Sequence, residues 1–543
     1  MIEKALILAA GKGTRMWPLT DNTPKPLLPL GGTTIIHRQI EELTKTGVKE
    51  IHVLIGYQMK AISNHLGNGK KLGVKIKYII QEKQEGTGHA VLQANGKIKG
   101  GFYCLNGDLV IDGSNLDRMS NSKNEIVMMT REVEDGSRFG VVQSKKGKLV
   151  SITEKGVSGK AAINAGIYLF NEKIFEAIKG VGKSIRGEYE LTDALQAISK
   201  DVNIIEYKGF WKDIGCPWDL ITANENCIED IVEKNHGIIE DNVNINGKIH
   251  VGKNSIIKSG TCTEGTVWIG ENCVVGPNAY LRGGTVLCGD NKVGASSEIK
   301  NTILMQGAKA PHHNYVGDSI VGKNSNLGSG TKIANMRLDK KIIEVTHQGK
   351  KVSTDRRKFG AIIGDDVSTG INASVNSGTI LGNNVKVGPS PKWLVNSLKS
   401  IGLNSINNIV DAANYVMMDT GHPLHTFDLD KICNKKINVR FAKEDEKIQL
   451  LDNNDYKLNS NNLVIADDVK PIAIAGIMGD NKTGISLNTK NILIESAYFS
   501  PSVVRKSSKQ IGLSTESSKR FERDIDIENV IHSLDQITKL IMD

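Results

Sequence analysis

Between residues 251 and 388 an aliphatic residue is repeatedly followed by glycine. The pairs include Val251-Gly252, Ile269-Gly270, Val275-Gly276, Val293-Gly294, Val316-Gly317, Val321-Gly322, Ile363-Gly364, Leu381-Gly382 and Val387-Gly388, often six residues apart or near multiples of six. An aliphatic side chain at every sixth position fills the inside corner of a small triangular coil. The Gly, Asn or Asp after it makes the turn. This repeat predicts a left-handed parallel β-helix over residues 236–388. The stretch 335–358 lacks the repeat and is charged, so it is expected to project as a loop or hairpin.

The texture differs on either side. Up to about residue 222, short apolar runs (5–9, 51–55, 76–80, 102–105) alternate with helical patterns such as 34–47 and 58–67. That alternation predicts a Rossmann-like, mostly parallel α/β sheet with ligands at the strand C-termini. After Ser390 the hexads stop. Helical spacing over 391–402 and 408–420, strand-like runs over 437–441, 463–466, 472–476 and 492–495, and charged helical stretches to residue 543 predict an α+β unit. The expected organisation is a first domain over 1–223, a linker over 224–235, a coil over 236–388 and a third domain over 389–543. The 543 residues suit three or four domains.

Composition excludes several classes. Hydrophobic residues at 39% and charged residues at 24% argue against whole-chain disorder. No apolar run is long enough for a membrane span, and the first residues read as a buried strand rather than a signal peptide. Seven scattered cysteines without a CxxC pair suit a reducing cytoplasm. A net charge of +9 is weak evidence for nucleic acid and equally suits a nucleotide or sugar-phosphate enzyme.

The first chemistry follows the first strand, at Leu8-Ala9-Ala10-Gly11-Lys12-Gly13-Thr14-Arg15-Met16. Small residues let the backbone close around a triphosphate with N–H groups facing its oxygens. Arg15 can grip a leaving pyrophosphate in a fork. Pro24-Lys25-Pro26 holds a lysine in a stiff frame, suited to neutralising an α-phosphate under attack.

These strings resemble the sugar-1-phosphate nucleotidylyltransferases, from residue 1 to about 223. The resemblance implies nucleotide contacts from Leu8, Ala10, Gly11, Gly13 and Thr14. It implies a base-reading loop in Gln81-Glu82-Lys83-Gln84-Glu85-Gly86-Thr87, where Gln81 would bond a pyrimidine edge and Gly86 and Thr87 would pack on it. Asn106-Gly107-Asp108 and Trp211-Lys212-Asp213-Ile214-Gly215 would supply two carboxylates, Asp108 and Asp213, to Mg²⁺. Phe139-Gly140, Glu154-Lys155 and Asn164-Ala165-Gly166 match sugar-binding positions, which assigns Gly140, Glu154 and Asn164 to the sugar phosphate. The resemblance implies UTP or dTTP as the nucleotide. N-acetylglucosamine 1-phosphate is the favoured sugar, with glucose 1-phosphate next.

In the coil, Pro311-His312-His313-Asn314-Tyr315 resembles the His-x-x-Tyr segment of glucosamine-1-phosphate N-acetyltransferases. The match implies His312 as general base, its choice over His313 resting on the spacing to Tyr315. Tyr315 and Asn335 match sugar-phosphate positions, and Lys341, Arg356, Arg357 and Lys358 offer phosphate charge. Taken together, residues 1–388 resemble the archaeal-like bifunctional UDP-N-acetylglucosamine pyrophosphorylases/glucosamine-1-phosphate acetyltransferases. Homotrimers built through the coil and acetyl-CoA as co-substrate are implied. In that family the coil continues beyond the equivalent of Gly388 and its late turns help bind acetyl-CoA, so an impaired acetyl transfer is expected here.

Residues 389–543 resemble something else. Asn414-Tyr415-Val416-Met417, Pro423-Leu424-His425-Thr426-Phe427-Asp428, Ala475-Gly476-Ile477-Met478-Gly479 and Arg520-Phe521-Glu522-Arg523 are similar to the editing region of bacterial phenylalanyl-tRNA synthetase β subunits. The resemblance places Asn414, His425, Ala475, Gly476 and Glu495 in an editing pocket, with tRNA and a synthetase α subunit as partners if that segment is functional. Lys386-Val387-Gly388-Pro389-Ser390 suits both a last hexad and an entry to the synthetase segment, as expected of a chimera.

Overall fold

The computed structural model describes residues 2–120, 126–154, 158–184, 186–347, 350–384, 386–387, 390–485, 489 and 491–542. Contacts divide the chain into two units, Met1–Val385 and Lys386–Asp543. Gly388 and Pro389, at the junction read as a crossover, lie outside the described residues, as does Lys155.

The first unit opens with a nine-stranded sheet. Lys75–Ile80, Glu50–Ile55, Lys4–Ala9 and Phe102–Asn106 run parallel side by side, each pair joined through helices such as Ile35–Lys45 and Met59–Leu66. Beyond Phe102–Asn106 the sheet becomes mixed: Ala161–Phe170 is antiparallel to both neighbours, and Gly140–Lys145 and Lys148–Glu154 form a hairpin. The sheet is therefore less parallel than the early alternation implies. For the hairpin the reason is local, since its two-residue turn can join only antiparallel strands. Ala5, Ile7, Ile51 and Val53 are fully buried, so the central strands read as continuous apolar runs.

From Lys234–Asn235 onward, three parallel sheets of eight, five and seven strands share the turns. Val251 pairs with Ile269, eighteen residues on, and Ile256 with Val274. Three hexads thus make one turn, consistent with a left-handed β-helix. The hexad aliphatics point inward: Val251, Ile257, Ile269, Val275, Val293, Val316, Val321 and Ile363 have no exposed surface and form one cluster. One corner repeats as Asn254, Asn272 and Asp290, with φ of 59°, 57° and 52°. Short polar side chains tolerate that left-handed geometry.

The interruption is the extra length between Val321 and its partner Ile363. It contains the antiparallel hairpin Glu344–His347/Lys350–Ser353. The hairpin does not project freely. Ile343, Val345 and Phe359 are buried with Trp218 and Ile221 of the helix Pro217–Cys227, because its apolar residues face that helix and its charges face out. Coil and sheet are thereby welded. Val286, Ile303, Ile320 and Ile362 of the coil share an apolar cluster with Met16, Leu19 and Ile35. Asn224 accepts from the Gly31 amide at 2.9 Å and donates to the Gly284 carbonyl at 2.9 Å.

The second unit packs helices Lys392–Ser400, Asn408–Thr420, Pro501–Ile511 and Asn529–Met542 with a four-stranded antiparallel sheet and the pair Leu424–Asp428/Ile492–Ser496. Phe427, Ile465, Ile474, Phe499 and Phe521 lie in its core. Among the described residues no helix is long and apolar enough to cross a membrane.

Candidate active sites

The first strand, Lys4–Ala9, delivers the chain into a loop at the sheet's C-terminal edge. Gly13 has φ 65° and starts the turn Thr14–Met16 that carries Arg15. A Cβ on Gly13 would meet the Lys25 Cβ at 3.0 Å, so glycine lets the loop close on the lysine. Thr20 ties the loop by donating to the Gly13 carbonyl at 2.9 Å, and the Gln84 amide donates to the Ala10 carbonyl at 2.6 Å. Lys25 is buried, and its ammonium reaches Asp108 at 2.6 Å.

Asp108 follows the strand Phe102–Asn106, and Asp213 ends the short strand Lys212–Asp213. Asp213 pairs in register with Leu109, and the Ile214 amide donates to the Asp108 carbonyl at 3.0 Å. The two carboxylates thus stand at adjoining strand ends. Burial pushes the Asp213 carboxyl up to about 6, helped by the charge of Asp108 and opposed by Lys25 and Arg15. All four predicted charged residues therefore act on one place.

Asp219 was not singled out from the sequence. It is buried, accepts from the amides of Gly215 (3.0 Å) and Cys216 (2.7 Å), and pairs with Lys212 at 2.7 Å. It fixes the turn that follows Asp213. The available signal was an acid three residues into a helix that begins at Pro217.

Gln81 is buried beside His89, at 3.0 Å. Gly86 has φ 105°, and a Cβ there would meet the Tyr189 carbonyl at 2.6 Å. Thr87 accepts from the Leu191 amide at 3.1 Å, so the loop leans on residues 189–191. Glu154 faces Gly140 in register and accepts from Thr192 at 2.7 Å. Asn164 donates to the Tyr168 hydroxyl at 2.7 Å and accepts from the Gly166 amide at 3.0 Å. Trp211 donates to the Ala165 carbonyl at 3.0 Å and meets Phe139 edge-on at 5.9 Å.

On the coil, Tyr315 and Asn335 converge over Gly317, where a Cβ would meet the Asn335 Nδ2 at 2.7 Å and the Tyr315 hydroxyl at 2.9 Å. Asn335 donates to Asp318 at 2.5 Å. Burial pushes the Lys300 ammonium down, and Lys358 and Arg282 add to that effect. Arg282 and Lys300 are cations that the sequence reading passed over, because hexad spacing alone does not mark an outward face. His312 is exposed, and its ring makes no hydrogen bond among the described residues. Lys341 is exposed; its backbone amide donates to Asp339 at 3.2 Å, and no hydrogen bond joins its side chain to Tyr315 or Asn335 among the described residues.

In the second unit His425 and Glu495 face each other across the strand pair. Both line a cavity of about 30 Å³ with Gly476, Met478, Gly479 and Phe521, room for about one water. Asn414 and Ala475 are not in that lining. Burial pushes the His425 imidazole down to about 4 and the Glu495 carboxyl up to about 7. The folded state thus favours the protonated Glu495, while the unfolded chain ionises near 4.5. Glu495's contribution to stability is therefore fully present below pH 4.5 and is lost between pH 4.5 and 7, by about 3 kcal/mol, while the depressed His425 acts the other way and costs stability as pH falls from 6.5 toward 4. Glu495→Gln is expected to raise the melting temperature of this unit at pH 8 and leave it unchanged at pH 4, as followed by calorimetry.

Residues 4–230 match the nucleotidyl transferase family, 263–381 the GMPPB C-terminal domain and 376–543 the B3/4 domain. The bifunctional protein GlmU of Methanococcus aeolicus is 42% identical over 388 residues, covering 71% of this chain and 93% of that protein. A bifunctional sugar-1-phosphate nucleotidylyltransferase/acetyltransferase of Sulfurisphaera tokodaii is 40% identical over 395 residues, with coverage of 71% and 96%. The phenylalanine–tRNA ligase β subunit of Protochlamydia amoebophila is 52% identical over 158 residues, 29% of this chain but only 20% of that protein. The chain is thus a chimera, belonging over most of its length to the bifunctional GlmU family and ending in a B3/4 domain of the phenylalanine–tRNA ligase β-subunit type.

Proposed function

We propose that the chain transfers a nucleotidyl group from UTP or dTTP to a sugar 1-phosphate, with N-acetylglucosamine 1-phosphate favoured, and releases pyrophosphate. The observation that carries this reading is the meeting of Arg15, Lys25, Asp108 and Asp213 at one sheet edge. Asp108 and Asp213 fit a hard divalent cation. They are oxygen donors side by side, and the Asp213 carboxyl, raised chiefly by burial and then by the Asp108 charge, is one that a bound cation would hold ionised. Mg²⁺ commonly takes only one or two protein carboxylates, completing its shell with phosphate oxygens and water. When bound, it supplies charge neutralisation along the triphosphate. The glycine loop binds the phosphates through its amides. Lys25 offsets charge building on the α-phosphate, and Arg15 holds the departing pyrophosphate. Gln81, Gly86 and Thr87 read the base, while Gly140, Glu154 and Asn164 orient the sugar. No covalent enzyme intermediate is required, because the sugar phosphate oxygen attacks phosphorus directly. Pyrophosphate release measured with UTP or dTTP, Mg²⁺ and a panel of hexose 1-phosphates tests the reading. No release with any pair would defeat it.

On this reading residues 1–223 carry the first activity and 236–388 a second, acetyl transfer to glucosamine 1-phosphate with His312 as base. The convergence of Tyr315 and Asn335 favours it. The coil passes into another domain soon after Thr379–Leu381, so the late turns that would hold acetyl-CoA are replaced. Acetyl transfer is expected at no more than about a hundredth of the rate of a coil with those turns, read by thiol release from acetyl-CoA. Homotrimers are expected through the coil.

The facing pair His425 and Glu495 favours a further reading, an editing-type pocket in residues 389–543. Deacylation of tyrosyl-tRNA is expected to be weak, since the chain holds a fifth of the β subunit it matches. Robust deacylation lost in His425→Ala would make editing the principal activity instead.

A further inference from the structure

The hairpin of the coil reaches the turn that carries Arg15. Ile343 and Val345, at its base, are each 1% exposed and share an apolar cluster with Met16, the residue after Arg15. His347 lies near the hairpin's tip and is 7% exposed. Its ring stands edge-on to Trp218, with centroids 6.0 Å apart and planes at 85°. Its polar neighbour is the backbone of Arg15, which pulls the imidazole's proton affinity up while burial pushes it down, and burial wins. Among the described residues neither ring nitrogen completes a hydrogen bond, nor does the Trp218 indole N–H. Buried polar atoms left open are costly, so three in one place mark a contact that a small shift can complete.

The hairpin's far side is anchored as firmly. Arg356 donates to the Thr222 hydroxyl at 2.8 Å and to Glu225 at 3.1 Å, both on the helix that starts just after Asp213. The same guanidinium lies 3.8 Å from Asp318, the partner of Asn335. The interruption is therefore anchored at two places near the nucleotidyl site, in the apolar cluster that holds Met16 and on the helix that follows Asp213.

We propose that His347 is a positioning residue for nucleotidyl transfer: the coil's hairpin seats the Thr14–Met16 turn, and the imidazole holds the Arg15 backbone so that its guanidinium faces the pyrophosphate. The first site is then incomplete without the coil. This inference rests on the nucleotidyl-transfer reading, and the test is arranged to separate the two.

The test uses the full chain, with His347→Ala, His347→Gln, His347→Phe, Arg15→Ala and the double variant His347→Ala/Arg15→Ala. Steady-state pyrophosphate release from UTP, Mg²⁺ and the sugar 1-phosphate is one readout. Amide hydrogen exchange over residues 11–19 is the other. His347→Ala is expected to lower kcat/KM about tenfold through misplacement of Arg15. His347→Gln should recover most of that loss, because an amide can still reach the backbone. His347→Phe keeps the ring against Trp218 and should retain the melting temperature while behaving like Ala in rate. In the Arg15→Ala background His347→Ala should cost less than about twofold, since the two act as one unit. Exchange over residues 11–19 should quicken in His347→Ala and stay unchanged over 102–106. Equal cost in both backgrounds, or unchanged exchange over 11–19, would overturn the proposal. A wild-type chain that releases no pyrophosphate would sink the proposed activity instead, and the exchange readout would then decide the positioning claim alone.

Discussion

Asp213→Asn is expected to lower kcat for Mg²⁺-dependent pyrophosphate release by about 10³-fold or more while leaving the protein at least as stable as before. The two effects have one cause. Burial and the neighbouring Asp108 charge hold the Asp213 carboxyl up at about 6, so ionising it at neutral pH costs the fold rather than supporting it. An amide of the same shape removes that cost and removes the cation's ligand. Asp219, six residues further along the chain, provides the contrast. It satisfies two backbone amides and pairs with Lys212. Asp219→Ala would leave those groups open in a buried place, and a loss of about 3 kcal/mol is expected. Thermal melts with activity assays on both variants check the pair of outcomes. Destabilisation in Asp213→Asn comparable to that in Asp219→Ala would make Asp213 a structural acid and remove the ground for its metal role.

The hexads made the coil legible because the aliphatic period and the burial period are the same quantity. Val251, Ile269, Val293 and Ile363 are inside for the reason that marked them in the sequence. Arg15, Lys25, Asp108 and Asp213 were each singled out from a separate string, and the structure brings the four together. Their meeting at one sheet edge follows from the parallel order of the first four strands. Other features had no period to carry them. Ala161–Phe170 runs antiparallel to both neighbours, a direction that apolar patterning does not encode. Arg282 and Lys300 sit on an outward face where any polar residue would satisfy the repeat. The hairpin was read from its charges, yet Ile343, Val345 and Phe359 decide where it packs. Trp218 and Ile221 have ordinary helix spacing, and spacing says that a face is buried without saying against what.

That last point bears on where the chain can be cut. A chain ending near Ala223 would be expected to behave better than the full chain, because it sheds a coil whose apolar end lacks a cap. The side chains of Val385 and Val387, at the end of the coil, lie outside the described residues. The weld points the other way. Trp218, Leu220 and Ile221 are at most 1% exposed, in a cluster that the coil completes with Val286, Ile303, Ile320, Phe359 and Ile362. Trp268 of the coil closes over Gly32, where no Cβ would fit. Ending the chain at Ala223 uncovers that face and also removes Asn224, whose side chain joins Gly31 to Gly284. Each large apolar side chain returned to water costs about 1.5–3 kcal/mol. Four or five of them amount to about 10 kcal/mol, comparable with the whole stability of an ordinary domain. An exposed patch of that size also promotes association. The truncated chain is therefore expected to aggregate on expression, and one ending near Ser390 to remain dispersed. Light scattering of the two at equal concentration decides it: a monodisperse, cooperatively melting chain of residues 1–223 would show that the weld contributes little to the stability of the first sheet.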